Sequence, residues 1–354
     1  MEIDSKDMKY ILKKNIDINY FQEFVRNMRK ILEVCLVGKY NSLEKVLKKY
    51  PLDSEKIIIL NDFRLYCLTS KYFSKGIGMY NFEGNSIFNY DNSLLNSINK
   101  KLVSDGIYIN TEYLRDDFIE KIISSCNGLE YSNMKNNVYD NKIVINDVRK
   151  SEKGRYMIFN QGDILRIPEV QELVTDPYIL KVCQNYLEAN PILVQTNFWI
   201  TNGQEEGFKD NTHMFHQDND DLKFIKVFIY LNDVDENNGP HSYVRGSINN
   251  LKLPDKYRIS QRLSDDYIKN SYDGNVLTLI GKRGTIIFEN TYGFHKGCQI
   301  KSGYRLMLQF QFASSTSFFI SKYLRPVRVG SDDKVKRYLD FKGRYPVSGL
   351  FFYS

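Results

Sequence analysis

The sequence predicts a mainly β fold with flanking helices (α+β), a sandwich or jelly roll with helices packed outside it. Segments with helical periodicity come first, and short runs with period-two alternation dominate after about residue 190. The short runs are rich in β-branched and aromatic residues and are separated by Gly and Asn. The 354 residues are 42% hydrophobic, with 26 Tyr and 22 Phe, which favours an ordered core over disorder.

Two domains are expected, a mostly helical N-terminal extension over residues 1–100 and a jelly-roll domain with a C-terminal tail over residues 101–354. In the extension, apolar residues recur at helical spacing within residues 21–32, and Pro51 ends that stretch.

The second domain is predicted to begin with a strand and two helices, followed by five strands. KLVSDGIYIN (101–110) predicts the short strand, and TEYLRDDFIEKIISSC (111–126) a helix capped by Thr111. PEVQELVTDPYILKVCQNYL predicts a second helix over about 168–187. The strands are ILVQTNFWI (192–200), KVFIYLNDV (226–234), NVLTLI (275–280), GTIIFEN (284–290) and RLMLQFQFA (305–313).

Charge and cysteine usage exclude several classes of protein. The net charge of +6 is spread out without a basic run or basic-aromatic stripe, so no nucleic-acid partner is expected. The five cysteines form no CxxC pair, which argues against a disulfide framework or a thiolate zinc site. The N-terminus does not resemble a signal peptide, and no apolar stretch approaches the roughly 20 residues that span a bilayer. We expect a cytoplasmic protein without a membrane partner.

The segment HMFHQDND (213–220) offers two possible metal-binding pairs. His213 and His216 could form a helical i, i+3 pair, or His216 and Asp218 could share one face of an extended segment. The segment precedes a clear strand and has no helix-favouring run, so we favour the second pair. Because an HxD tripeptide often arises by chance, it needs a further ligand.

His295, in GTIIFENTYGFHKG, follows a predicted strand and supplies that ligand. Two histidines and one carboxylate can occupy one face of an octahedral metal and leave three positions open, as in the facial triad of non-haem Fe(II) oxygenases. HExxH is absent, and zinc would more typically have three histidines or that motif. The predicted ligands are therefore His216, Asp218 and His295.

A cosubstrate carboxylate would need a cation, and Arg305 is the candidate. It lies ten residues after His295, at the start of the last strong strand. Arg305, Met307 and Gln309 share one face of that strand, and a guanidinium can bind a carboxylate with two parallel hydrogen bonds.

Four blocks together resemble the phytanoyl-CoA dioxygenase-like family of Fe(II)/2-oxoglutarate-dependent oxygenases. The blocks are FHQDND, LNDVDENNGPHSYVRGSI, GTIIFENTYGFHKG and GYRLMLQFQF, within roughly residues 101–315. Their order and spacing carry the resemblance. The sequence departs from the family's pattern at Arg245, Ile248 and Gly297, and the first 100 residues have no counterpart.

The resemblance implies a double-stranded β-helix with Fe(II) held by the three ligands and 2-oxoglutarate held by Arg305. It also implies that Gln195 and Asn197, which alternate onto one face in QTNFW, lie near the cosubstrate. His213 is expected to line the pocket, and His241 is expected to be an ordinary hydrogen-bonded loop residue.

The resulting functional hypothesis is a dioxygenase that hydroxylates a small polar or anionic metabolite with molecular oxygen, releasing succinate and CO2. A sugar, a nucleotide-sugar or an amino-acid-derived intermediate would fit the mildly basic composition. Because related halogenases lack the carboxylate ligand, Asp218 argues for hydroxylation or another hydrogen-abstraction outcome such as desaturation. The alternatives are a non-catalytic jelly-roll binding module and an oxygenase that acts on a macromolecule.

Overall fold

The computed structural model describes most of the region after residue 80. The described residues are 81–133, 139–142, 156–202, 213–218, 220, 223–250, 252, 262–272, 274–313, 327–329 and 351–353. All of them belong to one compact unit that extends over residues 69–354. The predicted helix in residues 1–60 and most of the C-terminal tail lie outside the described residues.

Thirteen strands are assigned within these ranges. They are β1 (Ile107–Ile109), β2 (Glu130–Asn133), β3 (Tyr139–Lys142), β4 (Tyr156–Phe159), β5 (Ile192–Asn202), β6 (Phe224–Tyr230), β7 (His241–Val244), β8 (Val276–Leu279), β9 (Ile286–Glu289), β10 (His295–Gly297), β11 (Tyr304–Ala313), β12 (Val327–Val329) and β13 (Phe351–Tyr353). The five predicted strands correspond to β5, β6, β8, β9 and β11, with ends that differ by a few residues.

The strands form two antiparallel sheets and one separate parallel pair. The large sheet has the order β1-β9-β6-β11-β5-β4-β2-β3, the small sheet has the order β10-β7-β8, and β12 pairs with β13. A bridge between His216 and His295 places His216 beside β10, at the edge of the small sheet. From β5 to β11 the chain passes repeatedly between the two sheets, which is the winding of a double-stranded β-helix. The predicted jelly-roll fold is confirmed.

The two faces of the large sheet have different roles. On the outer face, Leu306, Leu308 and Phe310 of β11 pack into a core shared with the helices. On the inner face, Met307 and Tyr230 pack into a smaller core that also contains residues of β7 and β8 from the small sheet. The inner face therefore lines the space between the two sheets, and every second residue of a strand reaches it.

Six helices are assigned in the described part of the chain. They are α1 (Asn92–Asp105), α2 (Asp116–Ser125), α3 (Gln161–Leu165), α4 (Pro168–Val174), α5 (Pro177–Leu187) and α6 (Asp265–Ser271). The apolar sides of α1, α2 and α5 belong to the outer core. No helix among the described residues is long and apolar enough to cross a membrane.

Three local predictions were wrong in detail. Residues 101–105 are helical rather than extended, because α1 continues until Gly106 ends it with a φ of 81° before β1 begins. Thr111 does not cap α2, which begins at Asp116 without a side-chain cap. The backbone of the preceding segment is instead held by the sheet edge, since the Leu114 N–H donates to the Gly284 carbonyl.

The helix predicted over about residues 168–187 is two helices. Asp176 accepts hydrogen bonds from the N–H groups of Tyr178 and Ile179 and so caps α5, while Pro177 has no N–H with which to continue α4. Helix α1 runs across residue 100, and the domain boundary there stays a prediction.

Candidate metal centre

The HMFHQDND segment is extended where it carries the candidate ligands. The His216 N–H donates to the His295 carbonyl at 2.9 Å, and the His295 N–H donates back to the His216 carbonyl at 3.0 Å. This is the hydrogen-bonded pair of an antiparallel ladder, which fixes the two backbones side by side. Two residues on, the Asp218 N–H donates to the Thr291 carbonyl at 2.8 Å. The extended alternative for this segment is therefore the one observed.

The side chains of His216, Asp218 and His295 lie close together beside this ladder. The Nε2 atom of His216 lies 3.9 Å from Oδ1 of Asp218, and Nε2 of His295 lies 3.3 Å from Oδ2 of Asp218. One ligand atom from each residue can be chosen so that all three lie within 4.8 Å of one another. Ligands about 2.1 Å from an ion at right angles are about 3 Å apart, so this group can share one ion after small adjustments. Among the described residues it is the one such group of three, and it does not include His213.

Both imidazole rings are oriented by the backbone. Nδ1 of His216 lies 3.0 Å from the carbonyl oxygen of Met214, and Nδ1 of His295 lies 2.9 Å from that of Gly293. A proton on each Nδ1 satisfies these carbonyls and leaves the lone pair of each Nε2 for a metal. Burial, together with the neighbouring His295 ring, lowers the pKa of His216 to about 3, so this ring is neutral.

The third ligand is a carboxylate beside a buried lysine. Burial alone would raise the pKa of Asp218, but Lys226 and His295 lower it well below its usual range. The Nζ of Lys226 lies 2.6 Å from Oδ2 of Asp218 and 3.2 Å from Oδ2 of Asp220. Burial would lower the pKa of Lys226, but these two carboxylates raise it above its usual value. Lys226 is therefore a cation next to the candidate centre, which the sequence analysis missed.

The candidate cosubstrate residues lie on the inner face of the large sheet. In the β11–β5 ladder, Arg305 is opposite Thr201, Gln309 is opposite Asn197 and Gln311 is opposite Gln195. The Nε2 of Gln309 donates to Oε1 of Gln195 at 3.3 Å. Because alternate residues share a face, Arg305, Gln195 and Asn197 all face the interior of the jelly roll, as the alternation predicts.

Arg305 is a buried cation with an unused hydrogen-bond donor. It is 4% exposed, and one terminal nitrogen donates to the carbonyl of Gly239. Its Nε–H has no hydrogen-bond partner among the described residues. An unsatisfied donor on a buried guanidinium is costly, and an anion in the interior would satisfy it.

A second buried pair, His241 and Glu289, lies next to the centre, and the sequence pattern did not indicate it. His241 lies in β7 rather than in a loop, and its Nε2 is 3.0 Å from Oε1 of Glu289 in β9. Its ring stacks on His295 with 5.4 Å between ring centroids. The carboxylate of Glu289 is fully buried, and its Oε2 has no hydrogen-bond partner among the described residues. The expected hydrogen bond of His241 is present, but the expectation that this residue lies in a loop was wrong.

Comparisons with known proteins find similarity in structure alone. No protein-family model matches the chain, and a search of curated proteins finds no match. Similar solved structures include the non-haem α-ketoglutarate-dependent carbocyclase SnoK from nogalamycin biosynthesis, with 13% identity and a TM-score of 0.43 over 65% of this chain and 86% of that one. The epimerase SnoN in complex with Fe3+, α-ketoglutarate and nogalamycin RO has 13% identity and a TM-score of 0.44 over 64% of this chain and 86% of that one.

EctD from S. alaskensis with bound Fe has 12% identity and a TM-score of 0.44 over 64% of this chain and 80% of that one. At this level of similarity none of these structures assigns a family or an activity to this chain. The resemblance to the phytanoyl-CoA dioxygenase-like family therefore stays a prediction.

Proposed function

We propose that the chain is an Fe(II)/2-oxoglutarate-dependent oxygenase that oxidises a small polar or anionic metabolite. The observation that carries the proposal is the meeting of two backbone-oriented imidazoles with one carboxylate at the rim of a jelly roll. This donor set suits a six-coordinate ion with three remaining positions better than a closed structural zinc site.

In this proposal each residue of the centre has one task. His216 and His295 present their Nε2 atoms to the metal, because their Nδ1 atoms face backbone carbonyls. Asp218 adds one negative charge. Bound iron supplies the oxidising power of the reaction with oxygen and 2-oxoglutarate, and the protein supplies orientation and exclusion of water.

Arg305 is the proposed partner of the distal carboxylate of 2-oxoglutarate. Its guanidinium is buried on the inner face and retains an unsatisfied donor there. Gln195 and Asn197 line the same face, with Gln195 already joined to Gln309 by a hydrogen bond. We place them beside the cosubstrate as polar groups that orient it.

Hydroxylation is the proposed outcome, and the mildly basic chain suits an anionic or polar substrate. The test is to incubate the purified full-length chain with Fe(II), 2-oxoglutarate and oxygen, and to measure succinate. Succinate that depends on both iron and oxygen supports the proposal, and panels of sugars, nucleotide-sugars and amino-acid derivatives then identify compounds that accelerate it. A protein that binds no metal and releases no succinate is instead a non-catalytic binding module.

A further inference from the structure

Lys226 is an unusual neighbour for a metal-binding carboxylate. It lies on the inner face of β6, opposite Glu289 of β9 and Gln311 of β11. Its side chain is 9% exposed, and its ammonium group is directed at Asp218 rather than at solvent. A lysine ammonium is ordinarily well hydrated, so burying it here requires the two carboxylates that receive it.

The contact engages one particular oxygen of Asp218. The Nζ lies 2.6 Å from Oδ2, the shortest distance that either carboxylate oxygen makes to the described basic side chains around it. A charge-assisted hydrogen bond of this length occupies one side of the carboxylate and competes with a metal for the lone pairs of that oxygen. Asp218 is thereby biased to offer an ion a single oxygen and not to chelate it with both.

The same contact changes the charge that an ion and its ligands experience. When both imidazoles bind an ion through Nε2, the carboxylate of Asp218 is the one negative charge among the three ligands. Lys226 offsets that charge from a few ångströms away, in a partly buried setting where screening is weak. An added positive charge opposes the binding of a cation and favours the binding of an anion to it.

We infer that Lys226 is a further binding residue of this centre, which keeps Asp218 monodentate and holds anionic ligands on the metal at some cost in metal affinity. The ligand class is a carboxylate that binds the metal through two atoms, and the inference rests on the proposed function. A ligand that binds through two atoms and molecular oxygen together need the three positions that the triad leaves open, and a chelating Asp218 would take one of them. Lys226 thus favours cosubstrate binding in two ways. It keeps a coordination position open, and its positive charge favours the binding of an anion.

If Lys226 has this role, its removal affects metal binding and 2-oxoglutarate binding differently, whereas loss of a merely structural contact would affect both alike. Removing the ammonium of Lys226 releases Oδ2 of Asp218 and one positive charge, so a metal is bound equally well or more tightly. The same change weakens 2-oxoglutarate on the metal-loaded protein. Loss of a merely structural contact would instead weaken the binding of both the metal and 2-oxoglutarate, because a misplaced Asp218 would hold the metal poorly.

The test uses anaerobic calorimetric titration of the full-length chain, first with Fe(II) alone and then with 2-oxoglutarate into the iron-loaded protein. For Lys226→Met we expect an unchanged or lower Kd for Fe(II) and a Kd for 2-oxoglutarate raised about tenfold or more, the scale of one charge-assisted interaction. Lys226→Arg, which keeps the charge, should recover most of the affinity for 2-oxoglutarate. Lys223→Met is the matched control, because Lys223 is paired with Glu188 at 3.9 Å and not with the triad.

If Lys226→Met does not fold, as judged by circular dichroism, Lys226→Gln replaces it, since glutamine keeps a donor and removes only the charge. Parallel weakening of both titrations, or no change in either, overturns the inference. The wild-type titration tests the proposed function separately. A wild-type chain that binds no iron overturns the proposed function as well, whereas normal wild-type binding with an unaffected variant overturns the role of Lys226 alone.

Discussion

Oε1 of Glu289 and Nε2 of His241 lie 3.0 Å apart inside the jelly roll, joining β9 of the large sheet to β7 of the small sheet. Both side chains are buried, and the imidazole stacks on the His295 ring and makes a tilted contact with the Phe228 ring. A polar link between two sheets at this depth ties the position of a candidate metal ligand to the packing of the barrel.

This pair predicts strong coupling between two substitutions. His241→Leu leaves the carboxylate of Glu289 buried without its partner, so we expect a loss of about 3–5 kcal/mol in the free energy of unfolding. The double variant with Glu289→Leu should be less destabilised than His241→Leu, because no charge is then left unpaired. Urea denaturation of both single variants and the double variant measures the coupling. Additive losses would show that the two side chains do not depend on each other.

Substitution of Arg305 should act on the cosubstrate. Arg305→Ala is expected to raise the Kd of 2-oxoglutarate on the iron-loaded protein by about ten- to a hundredfold, since a charge-assisted contact is lost, while the Kd of iron changes little. Arg283→Ala is the control, because that guanidinium is paired with Glu120 at 2.7 Å on the exterior. Equal effects of the two substitutions would remove Arg305 from the cosubstrate site.

Two glycines flank His295 at equal distance and allow a test of ring orientation. A Cβ on Gly293 would collide with the Tyr243 side chain, whereas a Cβ on Gly297 meets no atom within 4 Å. Because the Gly293 carbonyl orients His295, we expect Gly293→Ala to weaken iron binding and to destabilise the fold by about 1–3 kcal/mol. Gly297→Ala should leave iron binding intact. Calorimetry on both variants checks this, and a weaker metal site in Gly297→Ala alone would contradict it.

The helix caps provide a prediction that is independent of the metal. Asp176 caps α5 from a buried position and also accepts from the Ile87 N–H at 2.8 Å, whereas Asp91 caps α1 at the surface. Asp176→Ala should lower the free energy of unfolding by about 2 kcal/mol or more, and Asp91→Ala by about 1 kcal/mol. Thermal unfolding followed by circular dichroism ranks them. The reverse ranking would show that the hydrogen bonds of Asp176 add nothing beyond an ordinary cap.

Period-two alternation was sufficient to predict β5, β6, β8, β9 and β11, but it did not predict β2, β3, β4, β7, β10, β12 or β13, which have only three or four residues each. It correctly placed Arg305 and Gln309 on one face of β11. The HxD segment was predicted correctly as extended, since it has no helix-favouring run.

Contacts between distant segments could not be predicted in the same way. Lys226 looked like one lysine of an apolar strand, and His241 like one histidine of a turn, because their partners Asp218 and Glu289 lie across the fold. The start of α2 was misplaced for a related reason. The sheet edge holds the backbone at Asn110 and Leu114, and this tertiary contact overrides the local capping preference of Thr111.

The most direct test of the metal centre is an anaerobic titration of the full-length chain with Fe(II) and 2-oxoglutarate, followed by visible absorption. We expect a metal-to-cosubstrate absorption band that saturates at about one iron per chain. We also expect that His216→Ala and His295→Ala abolish the band while circular dichroism shows a folded protein. A band of full intensity in either variant, or the absence of any band in the folded wild-type chain, would contradict the assignment of these residues as iron ligands.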